Sequence, residues 1–160
     1  MMQGARSHAL AALSLAVLAA CGREGTPTGP DTPRSFLEGT WSGTLTIERE
    51  GEPTTSGPTT WTFEVVPGTN LQTFNVRIES EHPFLLITVT VLSQITPSNT
   101  PPARISTQGD YPSPRGCTGS LLSVGTADTR TIDADFSGVD CPSLQHSTYR
   151  GRVQLIKAGP

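Results

Sequence analysis

Apolar and polar residues alternate with a period of two from Phe36 to near the end of the chain. In 40–48, for example, Trp41, Leu45 and Ile47 fall on one face and mostly threonine and serine on the other, which is typical of a half-buried strand. Clusters of glycine, proline, serine and asparagine, which favour turns, separate similar segments. The pattern predicts eight strands, at 40–48, 60–65, 73–79, 84–92, 103–107, 116–125, 130–138 and 147–157.

The connections between these strands are short, and no segment has a helical period. Successive strands joined by short loops are antiparallel neighbours. The sequence therefore predicts an all-β fold, a single antiparallel up-and-down β-barrel of about eight strands at 36–160. A β-sandwich is the alternative, although closure of a barrel removes the exposed sheet edges. The 16 glycines and 14 prolines exclude long helices.

The segment FLLITVTVL at 84–92 differs from the other strands because it is apolar on both faces. A strand of this kind is either covered on both sides or meets a partner with its outer face. In the second case we expect an exposed apolar patch on this strand.

Residues 1–20 have the composition of an export signal. Arg6 provides the positive charge, and the apolar stretch from Ala9 to Ala20 is too short to span a bilayer as a helix. The sequence LAACG at 18–22 resembles the lipobox of bacterial lipoproteins. An ordinary secretory signal followed by a chance cysteine is the alternative.

The resemblance to lipoproteins implies that residues 1–20 are removed and that Cys21 carries lipid, which anchors the protein to a membrane of the cell envelope. In Gram-negative lipoproteins an aspartate after this cysteine favours the inner membrane. Gly22 at that position implies the outer membrane, on its periplasmic or surface face. Residues 21–35 contain three prolines and three glycines but no large apolar side chain, so we expect a flexible linker there.

The triplet Gly39-Thr40-Trp41 resembles the G-x-W opening of lipocalins, and the same opening occurs in avidin-like barrels. In lipocalins the tryptophan plugs one end of the barrel, and an arginine from near the last strand packs over it. The resemblance therefore implies a barrel in which Arg150 or Arg152 covers Trp41.

Aromatic residues on the predicted inner faces are the candidate ligand-binding residues. Eight strands leave room either for packed side chains or for one small ligand. The small inward residues Gly43, Ala134 and Gly151 allow a cavity, but a completely filled core is the more common outcome for such a barrel. The candidates are Trp41, Trp61, Phe63, Phe74, Phe136 and Tyr149.

Two cysteines, Cys117 and Cys141, remain when Cys21 carries lipid. They lie at the outer ends of a predicted hairpin that turns near 126–129, and antiparallel pairing brings such residues together. In an oxidising compartment we expect them to form a disulfide. A metal or redox site is the alternative, but the C-x-x-C spacing is absent and we expect no third ligand nearby.

The segment DADFSG at 133–138 has the D-x-D-x-S-G start of a calcium-binding loop. The twelfth position of such a loop supplies a bidentate glutamate, and here it is Leu144. We therefore interpret Asp133 and Asp135 as outward-facing residues of a strand, and we predict no metal site.

His82 and His146 are interpreted as surface residues, because no serine has the G-x-S-x-G setting of a nucleophile and no acid is placed to orient an imidazole. No catalytic residue and no cofactor are predicted. Asp110 and Tyr111, in a predicted loop, and the acidic loop Glu48–Glu52 are candidates for the mouth of the barrel, although such loops are usually only solvated connections.

The net charge of −3, with Lys157 as the single lysine, excludes a basic groove for nucleic acid. These expectations describe an anchored, non-catalytic envelope protein that binds a small apolar ligand inside its barrel. The alternative is a filled barrel that binds an envelope protein with its surface, and a hydrolase-type enzyme is the third reading. The first reading needs an internal cavity on the order of a few hundred Å³.

Overall fold

The computed structural model describes residues 35–142 and 147–159, and these residues form eight β-strands. The strands are β1 (Gly39–Glu48), β2 (Thr55–Val65), β3 (Thr73–Glu81), β4 (Leu86–Thr96), β5 (Ala103–Pro112), β6 (Thr118–Ala127), β7 (Thr131–Val139) and β8 (Thr148–Lys157). Each strand pairs antiparallel with its neighbours in the sequence, and β1 also pairs with β8. The chain therefore forms the closed up-and-down barrel that the alternation predicts, and the β1–β8 pairing excludes the sandwich.

The inner face of the barrel follows the alternation within each strand. In β1 the side chains of Trp41, Leu45 and Ile47 are buried, and in β8 those of Val153 and Leu155 are buried. Across the closing seam Leu45 lies opposite Val153. The described part of the chain contains no helix long and apolar enough to cross a membrane.

The predicted signal segment 1–20, Cys21 and the linker as far as residue 34 lie outside the described residues. Ser35, the last residue assigned to the linker, is buried beneath the start of β1. The Leu37 amide donates to Ser35 Oγ at 3.3 Å, and the Glu38 amide donates to the Ser35 carbonyl at 3.2 Å. The barrel domain therefore includes Ser35.

Strands β2, β4 and β5 extend beyond the segments that the apolar pattern predicts. Asp110 and Tyr111 belong to β5 rather than to a loop. The added part of β4 begins with Ser93, an inward polar residue that is bonded to β5, since Thr107 Oγ1 donates to Ser93 Oγ at 2.9 Å and Ser93 Oγ to the Ser106 carbonyl at 3.2 Å. A search for apolar residues misses such positions, because their burial depends on a partner from another strand.

Apolar side chains are exposed on the outer face of β4, so within the described residues this strand is not covered on both sides. Leu86 and Leu92 expose 60% and 53% of their surface, so the described residues do not cover them. On β6, two strands away, Leu122 and Val124 are also exposed. Some of the apolar side chains of 84–92 therefore lie on the surface of the barrel and not in its core.

Gly43 and Gly151 face inward beside the seam that closes the barrel. A Cβ on Gly43 would lie 1.9 Å from the Gln154 carbonyl oxygen, and one on Gly151 would lie 1.8 Å from the Thr46 carbonyl oxygen. The neighbouring backbone therefore occupies the space of the missing side chains. These glycines allow a close approach of strands and do not open the cavity that their size would allow.

Candidate functional site

The six aromatic residues predicted to bind a ligand pack against one another inside the barrel. None of them is more than 4% exposed. The contacting ring pairs, with the distances between their centroids, are Trp41–Phe63 at 6.3 Å, Trp61–Phe63 at 6.2 Å, Trp61–Phe136 at 6.5 Å, Phe63–Phe74 at 6.1 Å and Phe136–Tyr149 at 5.8 Å. These separations are typical of directly interacting aromatic side chains. The packing favours the filled-core alternative.

One end of the barrel is closed by the segment before β1. Trp41 Nε1 donates to the Leu37 carbonyl at 2.7 Å, and both side chains are fully buried. Lys157 Nζ lies 5.2 Å from the centroid of the Trp41 ring and donates to the Phe36 carbonyl at 2.5 Å. Burial lowers the pKa of Lys157. The single lysine of the chain therefore covers the buried tryptophan through a cation–π contact.

Arg150 and Arg152 do not cover Trp41, contrary to the expectation from the lipocalin resemblance. Both lie on the outer wall, where Arg150 Nε is 3.2 Å from Glu48 Oε2 and Arg152 pairs with Asp133. The reason is the period of two in β8, which points both arginines outward and the lysine at the end of the strand inward.

The opposite end of the barrel, which we call the mouth, carries the loops that follow β1, β3, β5 and β7. Phe84, in the loop after β3, is half-buried among side chains from other elements. The guanidinium carbon of Arg49 is 4.0 Å from the centroid of the Phe84 ring, and that of Arg115 is 5.2 Å away. Tyr149 meets the same ring edge-on at 5.6 Å. We call these four residues the mouth cluster.

A hollow of about 410 Å³ opens beside the mouth cluster. Pro53, Pro83 and Pro114, one from each of three loops, line it together with Phe84 and the exposed Leu86. Charged residues also line the hollow, among them Arg49 and Arg115 of the mouth cluster. Each proline restricts the backbone of its loop.

A buried polar layer lies beneath the mouth cluster. Asp140 is only 2% exposed, accepts a hydrogen bond from Tyr111 Oη at 3.2 Å and lies 3.5 Å from Arg115 Nε. Tyr149 Oη donates to the Ser120 carbonyl at 3.0 Å. Burial raises the pKa of both tyrosines above the ordinary value, so both phenols stay protonated in the folded protein.

The acidic loop predicted at 48–52 does lie at the mouth. Glu48 pairs with Arg150 on the wall, and Glu52 pairs with Arg49 of the mouth cluster. Arg49 Nε is buried and has no hydrogen-bond partner among the described residues. Arg49 is therefore held by Glu52 and by its stacking on Phe84.

The disulfide between Cys117 and Cys141 is confirmed, with 5.4 Å between the two Cα atoms. It ties the loop after β5 to the loop after β7, at the edge of the mouth. The expectation of no third metal ligand nearby was wrong, because a carboxylate oxygen of Asp140 lies within 4.8 Å of both sulfurs. A disulfide sulfur lacks the thiolate charge that binds metals, so the oxidised pair does not complete a metal site.

His82 is not a surface residue, contrary to the prediction, because it is fully buried in the loop after β3. Its Nε2 lies 3.1 Å from Thr55 Oγ1, and its Nδ1 accepts a hydrogen bond from the Phe84 amide at 3.1 Å. Burial lowers the pKa of His82. His146, the other predicted surface histidine, lies outside the described residues.

The calcium-like segment forms part of β7 rather than a loop, as the strand interpretation predicts. Asp133 faces outward and pairs with Arg152, which lowers the pKa of its carboxyl group. Asp135 also faces outward and is exposed. Leu144 lies outside the described residues.

Sequence reasoning missed the mouth cluster, although it placed Tyr149 on the inner face. Arg49, Phe84 and Arg115 are more than 30 residues apart from one another and lie in three different loops. In the sequence, each of the three residues lies near a proline in a turn. That position indicates a loop, but it does not indicate that the loops contact one another.

Comparison of the chain with known protein families, with curated proteins and with solved structures finds no match in any of the three.

Proposed function

We propose that this chain is a lipid-anchored protein of a bacterial cell envelope that binds another envelope protein with the mouth of its barrel. The observation that carries the proposal is the filled interior, where the predicted ligand-lining side chains contact one another instead of enclosing a void. A ligand site inside a barrel needs a cavity of roughly 300 Å³ or more. Binding at the mouth requires no such cavity.

The mouth has the composition of a protein-binding surface. Arginine and aromatic residues are enriched at such interfaces, and here Arg49, Phe84 and Arg115 lie together with the exposed Leu86 at the rim. The disulfide and the prolines hold the loops in place before binding, which lowers the entropic cost of association. The proposal assigns no catalytic step to the protein.

The anchor is proposed from the lipobox resemblance at Cys21, and Gly22 favours the outer membrane. The disulfide supports export, because such bonds persist in oxidising compartments. The predicted linker joins the barrel at Ser35, at the closed end and opposite the mouth.

The anchor is tested by fractionation of cells that express the full chain with Cys21→Ser. We expect the wild-type protein in the membrane fraction and the variant in the soluble fraction. Unchanged membrane attachment of the variant would contradict the lipid anchor.

The mouth is tested by site-specific photo-crosslinking in the native cells. A photoreactive residue replaces Leu86, at the rim of the mouth, or Ile156, which lies on the outer wall near the closed end and is exposed to a similar degree, 66% against 60%. We expect one defined crosslinked protein from position 86 only, and loss of that product with Arg115→Ala. Equal products from both positions would contradict binding by the mouth.

The internal-ligand reading is tested by native mass spectrometry of the wild-type protein purified from its own membrane. We expect the mass of the lipidated chain with no bound small molecule. A retained small molecule of defined mass would support the reading that the packed interior disfavours.

A further inference from the structure

His82 occupies a fully buried position in which both nitrogens of its ring are engaged. The Phe84 amide can only donate, so Nδ1 is the acceptor in that contact and carries no proton. The single ring proton is therefore on Nε2, which donates to Thr55 Oγ1 at 3.1 Å. This arrangement requires the neutral imidazole in one tautomer.

The backbone around His82 is held tightly. Its amide donates to Ser80 Oγ at 3.2 Å, and its carbonyl accepts from the Leu85 amide at 2.9 Å. Gly57 of β2 packs against it so closely that a Cβ there would lie 2.5 Å from the His82 Cα. The imidazole therefore has little freedom to turn toward solvent while the loop keeps its conformation.

We propose that His82 is a proton-sensitive latch for the mouth, which holds Phe84 in the mouth cluster when neutral and releases it when protonated. A proton from solvent forms a bond to Nδ1, and the hydrogen bond from the Phe84 amide to that nitrogen is lost because two donors then face each other. Phe84 then leaves its contacts with Arg49, Arg115 and Tyr149. The latch acts with or without a bound partner, so it goes beyond the proposed function.

Burial has the larger effect on His82 and lowers the pKa of the imidazole, whereas, among the groups that face it, the Thr55 backbone raises that pKa through a hydrogen bond. The neighbours of His82 on β2 and β3 are neutral, and the adjacent Glu81 is exposed. The hollow that Thr55 shares with Phe84 also contains four charged residues, but they form the pairs Arg49–Glu52 and Arg115–Asp140. No unpaired carboxylate of the described residues lies in that hollow, and burial therefore holds the pKa of His82 below the ordinary value of 6.5.

The latch is tested by a pH titration of the full chain in detergent micelles, followed by NMR. The resonances of the His82 ring and the Phe84 amide are measured together, with amide exchange and a nuclear Overhauser effect between the Phe84 ring and Arg49. We expect both resonances to move with one midpoint below pH 6.5. Because opening takes up one proton, the protection factor of the Phe84 amide falls roughly tenfold per pH unit down to that midpoint and then levels off.

The matched variant is His82→Asn. An asparagine side-chain oxygen also accepts a hydrogen bond from the amide two residues later, but it does not titrate. We expect the Phe84 amide of this variant to keep its chemical shift and protection factor over the same pH range.

The wild-type titration tests the release of Phe84 by protonation of His82 even if the asparagine variant does not fold. A His82 ring that protonates while Phe84 keeps its chemical shift and its contact with Arg49 overturns the proposal. Global unfolding that precedes or accompanies protonation of His82 also overturns it, because the latch must open within a folded barrel.

Discussion

Removal of the Phe136 ring tests whether the interior of the barrel is filled. Phe136 is 2% exposed and contacts the rings of Trp61 and Tyr149. In Phe136→Ala the lost transfer of the ring from water contributes about 2 kcal/mol. A void on the order of 90 Å³ contributes roughly another 2 kcal/mol at about 24 cal/mol per Å³. The barrel is hydrogen-bonded all round, so its walls cannot collapse far, and we expect a total loss of about 4 kcal/mol.

The assay is urea unfolding of the full chain, followed by the fluorescence of Trp41 and Trp61. Leu122→Ala is the control, because this leucine lies on the outer wall and is 41% exposed. We expect the control to lose less than about 1 kcal/mol, as exposed positions generally do.

Benzene supplies a second measurement on the same proteins. An apolar cavity made by truncating a core side chain stays dry and binds such a molecule, which stabilises the folded state. We expect benzene to raise the stability of Phe136→Ala but not that of the wild type. A loss below about 1.5 kcal/mol in the variant, or equal stabilisation of the wild type by benzene, would refute the filled interior.

Three further predictions follow from the contacts of the barrel. Replacement of Cys117 and Cys141 by serine opens a loop spanning 24 residues, and denaturant unfolding should show a loss of about 3.5 kcal/mol. Gly151→Ala should destabilise the barrel by several kcal/mol in the same assay, because the added Cβ meets backbone at 1.8 Å. Absorbance at 295 nm should show that Tyr111 and Tyr149 remain protonated above pH 10 until the protein unfolds.

The sign of the tyrosine effect follows from linkage. The pKa of each phenol is higher in the folded state than in the unfolded state, so only the unfolded chain releases these protons near pH 10. The contribution of the buried phenols to stability is therefore fully present below pH 10, and it is lost as the pH rises above that value. An increase in absorbance near pH 10 with the barrel still folded would contradict burial of the phenols.

The glycine and cysteine predictions each have a control. Gly159→Ala is the control for Gly151→Ala, because a Cβ on Gly159 meets nothing within 4 Å. For the cysteine pair, reduction of the wild-type protein should lower stability as much as the double substitution does. An unchanged midpoint after either treatment would show that the disulfide does not constrain the unfolded chain.

The alternation of apolar and polar residues predicted the fold and most inward positions correctly. It succeeded because successive residues of a strand point to opposite faces, so that every second residue is buried, as Trp61 and Phe63 of β2 are. It failed where burial depends on contacts between distant segments. His82 was placed at the surface because neither the packing against Gly57 nor the bond to Thr55 appears in a local pattern.

The sequence by itself determined the eight strands, the inner face of the barrel and the cysteine pair, since each follows from local periodicity or from pairing across one hairpin. Only the tertiary structure decided that β1 meets β8 and that Lys157 rather than an arginine covers Trp41. It also decided that Arg49, Phe84 and Arg115 meet at the mouth. These contacts join residues far apart in the chain, and closure of the barrel is what brings them together.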